Sequence, residues 1–214
     1  HFGRQERGRV NVGATATVWL KPGVALYLIR HGETDWNREA RYQGQRDIPL
    51  NSNGRAQAQR HGGILNASMP EIADFDFVSS PLQRAIETMQ LIRAALGLDA
   101  DDFRRVPDIA ELSYGHWEGE LATELPAKDP EGFAGKNADP YGWRPRDGES
   151  YRDLEQRVSA WLAGLEKSTV AVSHGGVSRV ARGALLGIDR ALVPFLEVPQ
   201  DKILRLSDGK MQWL

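Results

Sequence analysis

Two histidines stand directly after short apolar runs, and an imidazole in such a place can act as a nucleophile or transfer a proton. His31 follows the run at residues 24–29, and His174 follows Thr169–Ser173. Uncharged runs of this length, partly β-branched, are typical of strands buried on both faces of a sheet. Ligands of open α/β sheets bind at the carboxyl ends of such strands. We therefore expect both imidazoles in one crevice, although a single histidine here is more often a structural, hydrogen-bonded group.

Two arginines are placed where they can neutralise an anion near the first histidine. Arg30 directly precedes His31, and Arg84 falls in the first turn of a helix predicted after Ser80 and Pro81. An arginine at a helix N-terminus opposes the helix dipole, whereas with a bound anion the side chain and the helix end act together. The pattern favours a local anion site, with surface ion pairs as the alternative.

The elements that must position these residues alternate between strand and helix signals. Further strands are predicted at residues 75–79 and in a C-terminal hairpin at 203–206 and 211–214. Helices are predicted from Ser52 or Asn53 towards Met69, over 82–96, from a capping box at Ser150 and Asp153, and over about 177–186. This order predicts a three-layer α/β/α sandwich with a mostly parallel central sheet and an antiparallel edge strand.

Composition limits the classes of function. The 214 residues, 41% of them hydrophobic, are typical of a single domain. We place this domain at residues 24–214, after an N-terminal arm or leader at residues 1–23. Within the arm, only residues 15–20 favour a strand. A net charge of −2 with mixed signs predicts no nucleic-acid or membrane partner. The absence of cysteine excludes disulfides and thiolate chemistry. With no apolar run near the roughly 18 residues of a membrane span, we expect a cytoplasmic protein.

Five motifs occur in a fixed order and are more specific together than any one residue. They read RHGET with DWN, SSPLQRAIET, AELSYGHWEG, a helix led by GES, and SHGG. At these motifs the chain resembles the histidine phosphatase superfamily, also called the phosphoglycerate mutase-like family, from about residue 24 to 206. The resemblance implies the sandwich fold described above and a phosphoryl-transfer activity.

The resemblance also implies roles for individual residues. His31 would attack phosphorus and become phosphohistidine, and Glu111 would act as general acid and then activate water. The residues expected to bind the phosphoryl group are Arg30, Asn37, Arg84, His174 and Gly175. Because arginine and histidine supply the positive charge, no metal and no cofactor are expected.

Other polar residues near the motifs have weaker functional interpretations. Glu118 and Glu120 compete with Glu111, which the motif position favours. Gln43 and Gly44 fit either the pocket wall or a turn. The remaining histidines are expected to be structural or peripheral: His61 on an exposed helix surface, His116 as a support of the Glu111 loop, and His1 in the leader.

Residues 121–147 are predicted to form an insertion over the pocket like a lid. Its members Tyr141, Trp143, Arg144 and Arg146 are candidates for contact with the non-phosphate part of a substrate. Two arginines would suit a carboxylate or a second phosphate, but solvated lid residues are the alternative.

Three functions fit these residues. The first is a metal-independent phosphatase of a small phosphorylated metabolite, and the second is a phosphoglycerate mutase that uses the same phosphohistidine. The sequence Gly175–Gly176, the YGHWEG motif and the short segment between Glu111 and Gly148 favour the phosphatase branch. The third is an inactive phosphate-binding or interaction module, which all five filled catalytic positions disfavour. The C-terminal hairpin offers an edge through which a homo-oligomer can form.

Overall fold

A central six-stranded sheet with helices on both faces forms the described part of the chain. The computed structural model describes residues 18–214. The strands are β1 Leu26–Arg30, β2 Asp76–Ser79, β3 Arg104–Arg105, β4 Thr169–Ser173, β5 Ile203–Ser207 and β6 Lys210–Trp213. The helices are α1 Asp35–Arg38, α2 Ser52–Ser68, α3 Gln83–Ala95, α4 Leu125–Lys128, α5 Pro130–Ala138, α6 Tyr151–Ala163 and α7 Gly175–Leu186.

The sheet is parallel in its centre and antiparallel at one side. The strand order is β3-β2-β4-β1-β5-β6. The pairs β3·β2, β2·β4 and β4·β1 are parallel, whereas β5 is antiparallel to both β1 and β6. The predicted α/β sandwich is thus confirmed, and the antiparallel side consists of two strands, because the C-terminal hairpin docks through β5.

Two hydrophobic cores lie on opposite faces of the sheet because side chains alternate along each strand. On β1, Leu26 and Leu28 contribute to the core beneath α6 and α7, whereas Tyr27 and Ile29 contribute to the core beneath α2 and α3. Burial on both faces explains why β4 has no charged residue and why β1 has none except Arg30 at its end.

Helix boundaries follow local capping chemistry in some places and not in others. The predicted capping box is present, because the Ser150 side chain accepts from the Asp153 backbone and the Asp153 side chain accepts from the Ser150 backbone. Helix α3, by contrast, has Leu82 as its N-cap with no side-chain hydrogen bond. The Ser80 hydroxyl instead contacts His174.

Two predictions about the periphery need correction or lie outside the described residues. Half of the predicted strand at 15–20 lies outside the described residues, and residues 18–20 are not in a strand. His61 is completely buried in α2 rather than exposed. Its Nε2 contacts the Gln200 carbonyl at 2.9 Å, because this face of α2 packs on the loop before β5. Within residues 18–214, no helix is long and apolar enough to cross a bilayer.

Candidate active site

Three adjacent parallel strands end at the same edge and bring His31, His174 and Ser80 together. The backbone N–H of His31 donates to the Ser173 carbonyl at 2.9 Å, and that of Ser80 donates to the Val172 carbonyl at 2.9 Å. The two imidazole ring centroids are 5.1 Å apart. The sheet therefore places the two histidines, 143 positions apart in the sequence, side by side at the edge where ligands bind.

Hydrogen bonds to both ring nitrogens define the orientation and the tautomer of His31. Its Nδ1 lies 2.7 Å from the Gly32 carbonyl oxygen, which can only accept. Its Nε2 receives a hydrogen bond from Nε of Arg84 at 3.2 Å. This network assigns the proton to Nδ1 and the lone pair to Nε2. Burial, followed by the charges of Arg84 and Arg30, holds the pKa of His31 well below its ordinary value of 6.5. The ring is therefore neutral and nucleophilic at neutral pH.

His174 lies beside this ring and is fully buried. Its Nε2 is 2.7 Å from the Ser80 hydroxyl, and its Nδ1 has no hydrogen-bond partner among the described residues. Burial and the charge of Arg84 lower the pKa of His174 well below 6.5, so this ring is also neutral. With the Ser80 hydroxyl donating to Nε2, Nδ1 carries the proton and remains an unused donor.

Arg84 is buried against the first loop rather than paired with a carboxylate. Its Nη1 donates to the Arg46 carbonyl and its Nη2 to the Gly44 carbonyl, both at 2.7 Å. Burial lowers the pKa of Arg84 to about 10, which still leaves the group charged at neutral pH. The carbonyl acceptors fix the plane of the guanidinium and orient its Nε towards His31.

Arg30 is similarly held by a carbonyl and retains a free donor. Its Nη1 donates to the Val198 carbonyl at 2.8 Å, and its buried Nε has no partner in the described chain. Among residues 18–214, neither Arg30 nor Arg84 forms a salt bridge, so the surface ion-pair alternative was wrong.

The carboxylate of Glu111 faces the N-terminus of α7. It accepts hydrogen bonds from the backbone N–H groups of Leu112 at 2.9 Å and Gly176 at 3.1 Å. Arg157 holds the surrounding loop by donating to the carbonyls of Ala110 and Glu111. These contacts position the Glu111 carboxylate at the cavity by means of backbone groups from two separate segments.

An open cavity of about 270 Å³ is bordered by His31 and the two arginines and also by Glu111. The predicted residues on its wall are Arg30, His31, Asn37, Gln43, Gly44, Arg84, Glu111 and Gly175. His174 is not on the wall. The cavity thus combines a neutral imidazole, guanidinium groups and one carboxylate in a space large enough for a phosphate ester.

A family model for the histidine phosphatase superfamily (branch 1) matches residues 26–213. The chain belongs to this superfamily. It is 33% identical over 171 residues to phosphoserine phosphatase 1 of Hydrogenobacter thermophilus, covering 78% of each chain. It is 34% identical over 197 residues to a probable phosphoglycerate mutase GpmB of Salmonella typhi, covering 88% of this chain and 87% of that protein. The crystal structure of the alpha-ribazole phosphatase from Shigella flexneri superposes with a TM-score of 0.76 at 27% identity, covering 89% and 95% of the two chains.

The first loop at the cavity is held by Asn37 and its neighbours. The Asn37 side-chain oxygen accepts from the Thr34 backbone and from Gln200 Nε2, so its amide nitrogen is the donor left at the cavity wall. Gln200 also donates to the His31 carbonyl at 2.9 Å. Gln43 accepts from the Thr34 hydroxyl at 2.9 Å. Gly44 has a φ of +52°, so it meets both predicted alternatives, as a turn residue and as part of the wall.

The other two carboxylates of the Glu111 loop have structural contacts. Glu118 accepts from the backbone N–H groups of Gln45 and Tyr114, which joins the first loop to the Glu111 loop. Glu120 pairs with Lys128. His116 contacts Asp129 at 2.9 Å and lies off the cavity wall, in line with a supporting position.

None of the four candidate lid residues lines this cavity. Tyr141 is buried and stacks with Tyr151, and Trp143 packs on Trp117 with ring centroids 4.4 Å apart. Arg144 forms a salt bridge with Asp153, and Arg146 is 76% exposed at its side chain. These four residues do not border the cavity because packing turns the aromatic rings inward and the arginines outward, which agrees with the predicted alternative of solvated arginines.

Several wall residues were not predicted from the sequence. They are Ala40, Arg41, Tyr42, Tyr114, Ala122 and Arg179. Of these, only Arg179 could have been predicted from the sequence, because it follows Gly175 by four residues and therefore lies on the same face of α7. Nowhere in residues 18–214 do three or more His, Asp or Glu side chains gather as metal donors would.

Proposed function

We propose that this histidine phosphatase is a phosphomonoesterase that hydrolyses a small phosphorylated metabolite through a phosphohistidine on His31. The observation that carries the proposal is the orientation of His31. Its Nε2 is the unprotonated nitrogen, whose one lone pair accepts the Nε hydrogen of Arg84, while Nδ1 donates to Gly32. A phosphoryl oxygen that takes over the Arg84 hydrogen bond frees this lone pair for attack on phosphorus. An uncharged nucleophile approaches a phosphate dianion without charge repulsion, and adjacent guanidinium groups stabilise the charge that develops on the phosphoryl oxygens.

In the first step, the lone pair of His31 Nε2 forms the N–P bond as the ester P–O bond breaks. The leaving oxygen takes a proton from Glu111, which we propose as the general acid. In the second step the Glu111 carboxylate removes a proton from water, the water oxygen attacks phosphorus, and the N–P bond breaks. The products are the alcohol and inorganic phosphate, and both His31 and Glu111 return to their starting forms.

The proposed phosphoryl contacts use donors that the protein leaves free. The buried Nε of Arg30, the amide nitrogen of Asn37 and Nδ1 of His174 lack partners among the described residues. Buried donors without partners are costly, and phosphoryl oxygens would satisfy them. The backbone N–H of Gly175, at the start of α7, adds a donor in the positive field of the helix dipole.

We propose that turnover requires no metal and no other cofactor, and that the protein acts in the cytoplasm. Arg30 and Arg84 provide at the cavity wall the positive charge that divalent ions provide to other phosphoryl-transfer enzymes. Incubation with EDTA followed by an assay with p-nitrophenyl phosphate tests the first statement, and loss of activity that Mg²⁺ or Zn²⁺ restores would contradict it.

The nucleophile is tested by replacing His31 with alanine. We expect His31→Ala to lose hydrolysis of p-nitrophenyl phosphate and to lose an acid-labile, base-stable phosphoryl adduct that rapid quenching traps on the wild type. His116→Ala, a histidine away from the cavity, is the control and keeps both. Full activity of His31→Ala, with its fold checked by circular dichroism, would exclude the proposed nucleophile.

A mutase is the second candidate, favoured by the 34% identity to the probable phosphoglycerate mutase GpmB. The glycine pair Gly175–Gly176 and the YGHWEG motif support the phosphatase instead. Incubation with 3-phosphoglycerate and catalytic 2,3-bisphosphoglycerate separates the two. Release of inorganic phosphate supports hydrolysis, whereas conversion to 2-phosphoglycerate without release would replace it with mutase activity. Neither reaction with any phosphomonoester would favour an inactive phosphate-binding module.

A further inference from the structure

A further arginine, the half-buried Arg179, borders the cavity and has no part in the proposed phosphoryl chemistry. Its Nε donates to the Leu196 carbonyl at 2.7 Å and its Nη1 to the Tyr151 hydroxyl at 3.3 Å. The other terminal nitrogen, Nη2, has no acceptor within the described residues, and no carboxylate there forms a salt bridge with this side chain. Arg179 is thus fixed in place by neutral groups while its charge remains unpaired.

Arg179 and Arg30 both lie beside Gly175 on the cavity wall. A Cβ at position 175 would lie 3.4 Å from Nη1 of Arg179 and 3.8 Å from Nε of Arg30. Two guanidinium groups around one glycine repel each other, and this repulsion is relieved when anions bind between or beside them. The arrangement therefore indicates more anionic charge in the bound state than the protein itself supplies.

A count of the charged side chains on the cavity wall shows how much additional anionic charge the bound state requires. The wall carries three buried or half-buried arginines without salt bridges in residues 18–214, namely Arg30, Arg84 and Arg179, against the single acid Glu111. The dianion of a phosphomonoester matches two of the guanidinium groups, and Glu111 matches none in the proposed first step, where it is protonated and acts as the general acid. One cation then remains without a counterion in a desolvated place, which is unfavourable.

A second hollow begins at Arg179 and contains another unpaired cation. It has a volume of about 300 Å³ and shares Tyr42, Tyr114 and Arg179 with the first cavity. Lys136 of α5 lies on its wall, where Nζ donates to the Tyr42 hydroxyl at 2.9 Å and forms no salt bridge within residues 18–214. The two hollows thus border each other across Tyr42, Tyr114 and Arg179, with the proposed phosphoryl site in the first and a second cationic group in the other.

We propose that Arg179 and Lys136 form a subsite for a second anionic group of the substrate, either a carboxylate or another phosphate. The preferred substrates are then phosphomonoesters that carry this second anion a few bonds from the ester oxygen, rather than neutral sugar or nucleoside phosphates. This inference rests on the proposed phosphomonoesterase function, because it assigns the non-phosphoryl end of the same substrate.

A matched pair of substrates tests the subsite. 3-Phosphoglycerate and glycerol 3-phosphate have the same chain and ester and differ in a carboxylate against a hydroxymethyl group. We expect kcat/KM for 3-phosphoglycerate to exceed that for glycerol 3-phosphate by about tenfold to a hundredfold, the usual effect of a hydrogen-bonded charge. Arg179→Gln and Lys136→Gln should each lower this ratio several-fold.

Arg182→Gln is the matched control. Arg182 lies on the same helix, and its Nη1 donates to the Glu197 carbonyl, next to the carbonyl that Arg179 uses. We expect Arg182→Gln to keep the wild-type ratio. If Arg179→Gln does not fold, the substrate ratio of Lys136→Gln, a variant of the half-buried Lys136 in α5, still tests the subsite. An equal kcat/KM for the two substrates, or an unchanged ratio in a folded subsite variant, would overturn the proposal.

Binding measurements separate this proposal from the proposed reaction. In His31→Ala, calorimetry compares the Kd of 3-phosphoglycerate with that of glycerol 3-phosphate in the absence of turnover. Tighter binding of the carboxylate, weakened by Lys136→Gln, supports the subsite even if the wild type hydrolyses neither compound. Equal affinities reject the subsite, whereas failure of the wild type to hydrolyse any phosphomonoester rejects only the reaction.

Discussion

Nε of Arg84 donates a hydrogen bond to Nε2 of His31 at 3.2 Å, across 53 positions of the sequence. The bond engages the lone pair of the unprotonated ring nitrogen beside the cavity, and burial together with the adjacent positive charges holds the pKa of His31 well below 6.5. The remaining Arg84 nitrogens are fixed by the carbonyls of Arg46 and Gly44. One arginine therefore links the proposed nucleophile to the first loop, and substitution of Arg84 can test whether these three hydrogen bonds matter for catalysis.

Replacement of Arg84 with lysine should disable catalysis although the charge is kept. A single ammonium group cannot donate to His31 and to both loop carbonyls at once. We expect kcat for p-nitrophenyl phosphate to fall by about a hundredfold or more, as when one oxyanion donor is removed. Arg55→Lys, an exposed residue paired with Glu87, is the control. A kcat for Arg84→Lys within threefold of the wild type, at about the precision of a kinetic comparison, would show that the charge alone is sufficient.

The role proposed for Glu111 predicts a dependence on the leaving group. Glu111→Gln cannot protonate the departing oxygen, which matters for an alkoxide and little for p-nitrophenolate. We expect phosphorylation of His31 to slow by about a hundredfold or more with an alkyl phosphate and much less with p-nitrophenyl phosphate. Single-turnover assays with both substrates measure this step. Equal losses on the two substrates would indicate a binding or structural role for Glu111.

Gly176 is predicted to be intolerant of a methyl group because Glu111 lies against it. A Cβ there would be 2.5 Å from Oε1 of Glu111, so Gly176→Ala must displace the carboxylate. We expect kcat to fall by about tenfold to a hundredfold, since small displacements of reacting groups have such effects. The control is Gly63→Ala in α2, where nothing lies within 4 Å. That variant should keep its activity and gain about 0.5–1 kcal/mol in free energy of unfolding, from the helix propensity of alanine.

Stability should fall as the pH drops below about 6.5, the ordinary pKa of histidine. Burial is the largest cause of the lowered pKa values of His31, His174 and His61. The unfolded chain therefore binds protons in this range that the folded chain does not, and the free energy of unfolding rises with pH until the unfolded histidines are neutral. The expected slope is about 1.4 kcal/mol per pH unit for each histidine that stays neutral when folded.

Urea unfolding between pH 5 and pH 8 measures this slope. His61→Gln removes one buried titrating group that lies outside the cavity, and glutamine can still donate to the Gln200 carbonyl. We expect a shallower slope for this variant than for the wild type over pH 5–6.5. A slope that does not change on substitution, or a wild type that is more stable at pH 5 than at pH 7, would contradict the assignment.

The sequence was sufficient for the order of the elements and for the residues at the strand ends. The runs that became β1 and β4 are uncharged because both faces are buried, and this signal is local to each strand. His31 and His174 follow those strands directly, so parallel pairing of β1 with β4 was enough to bring them together. The capping box of α6 is equally local, because Ser150 and Asp153 are three residues apart.

The tertiary structure alone decided which residues form the cavity wall and which are buried against other elements. The buried face of α2 consists of Gly54, Ala58, His61, Gly62 and Leu65 with Gln57, a set without strong apolar periodicity, so the burial of His61 could not be read from the helix itself. The aromatic rings of the 121–147 segment turned inward because partners from distant segments were available. Arg179 reached the cavity because α7 begins at Gly175, directly after His174. Local sequence determines which side chains can be buried, but docking between elements distant in the chain determines what each one meets.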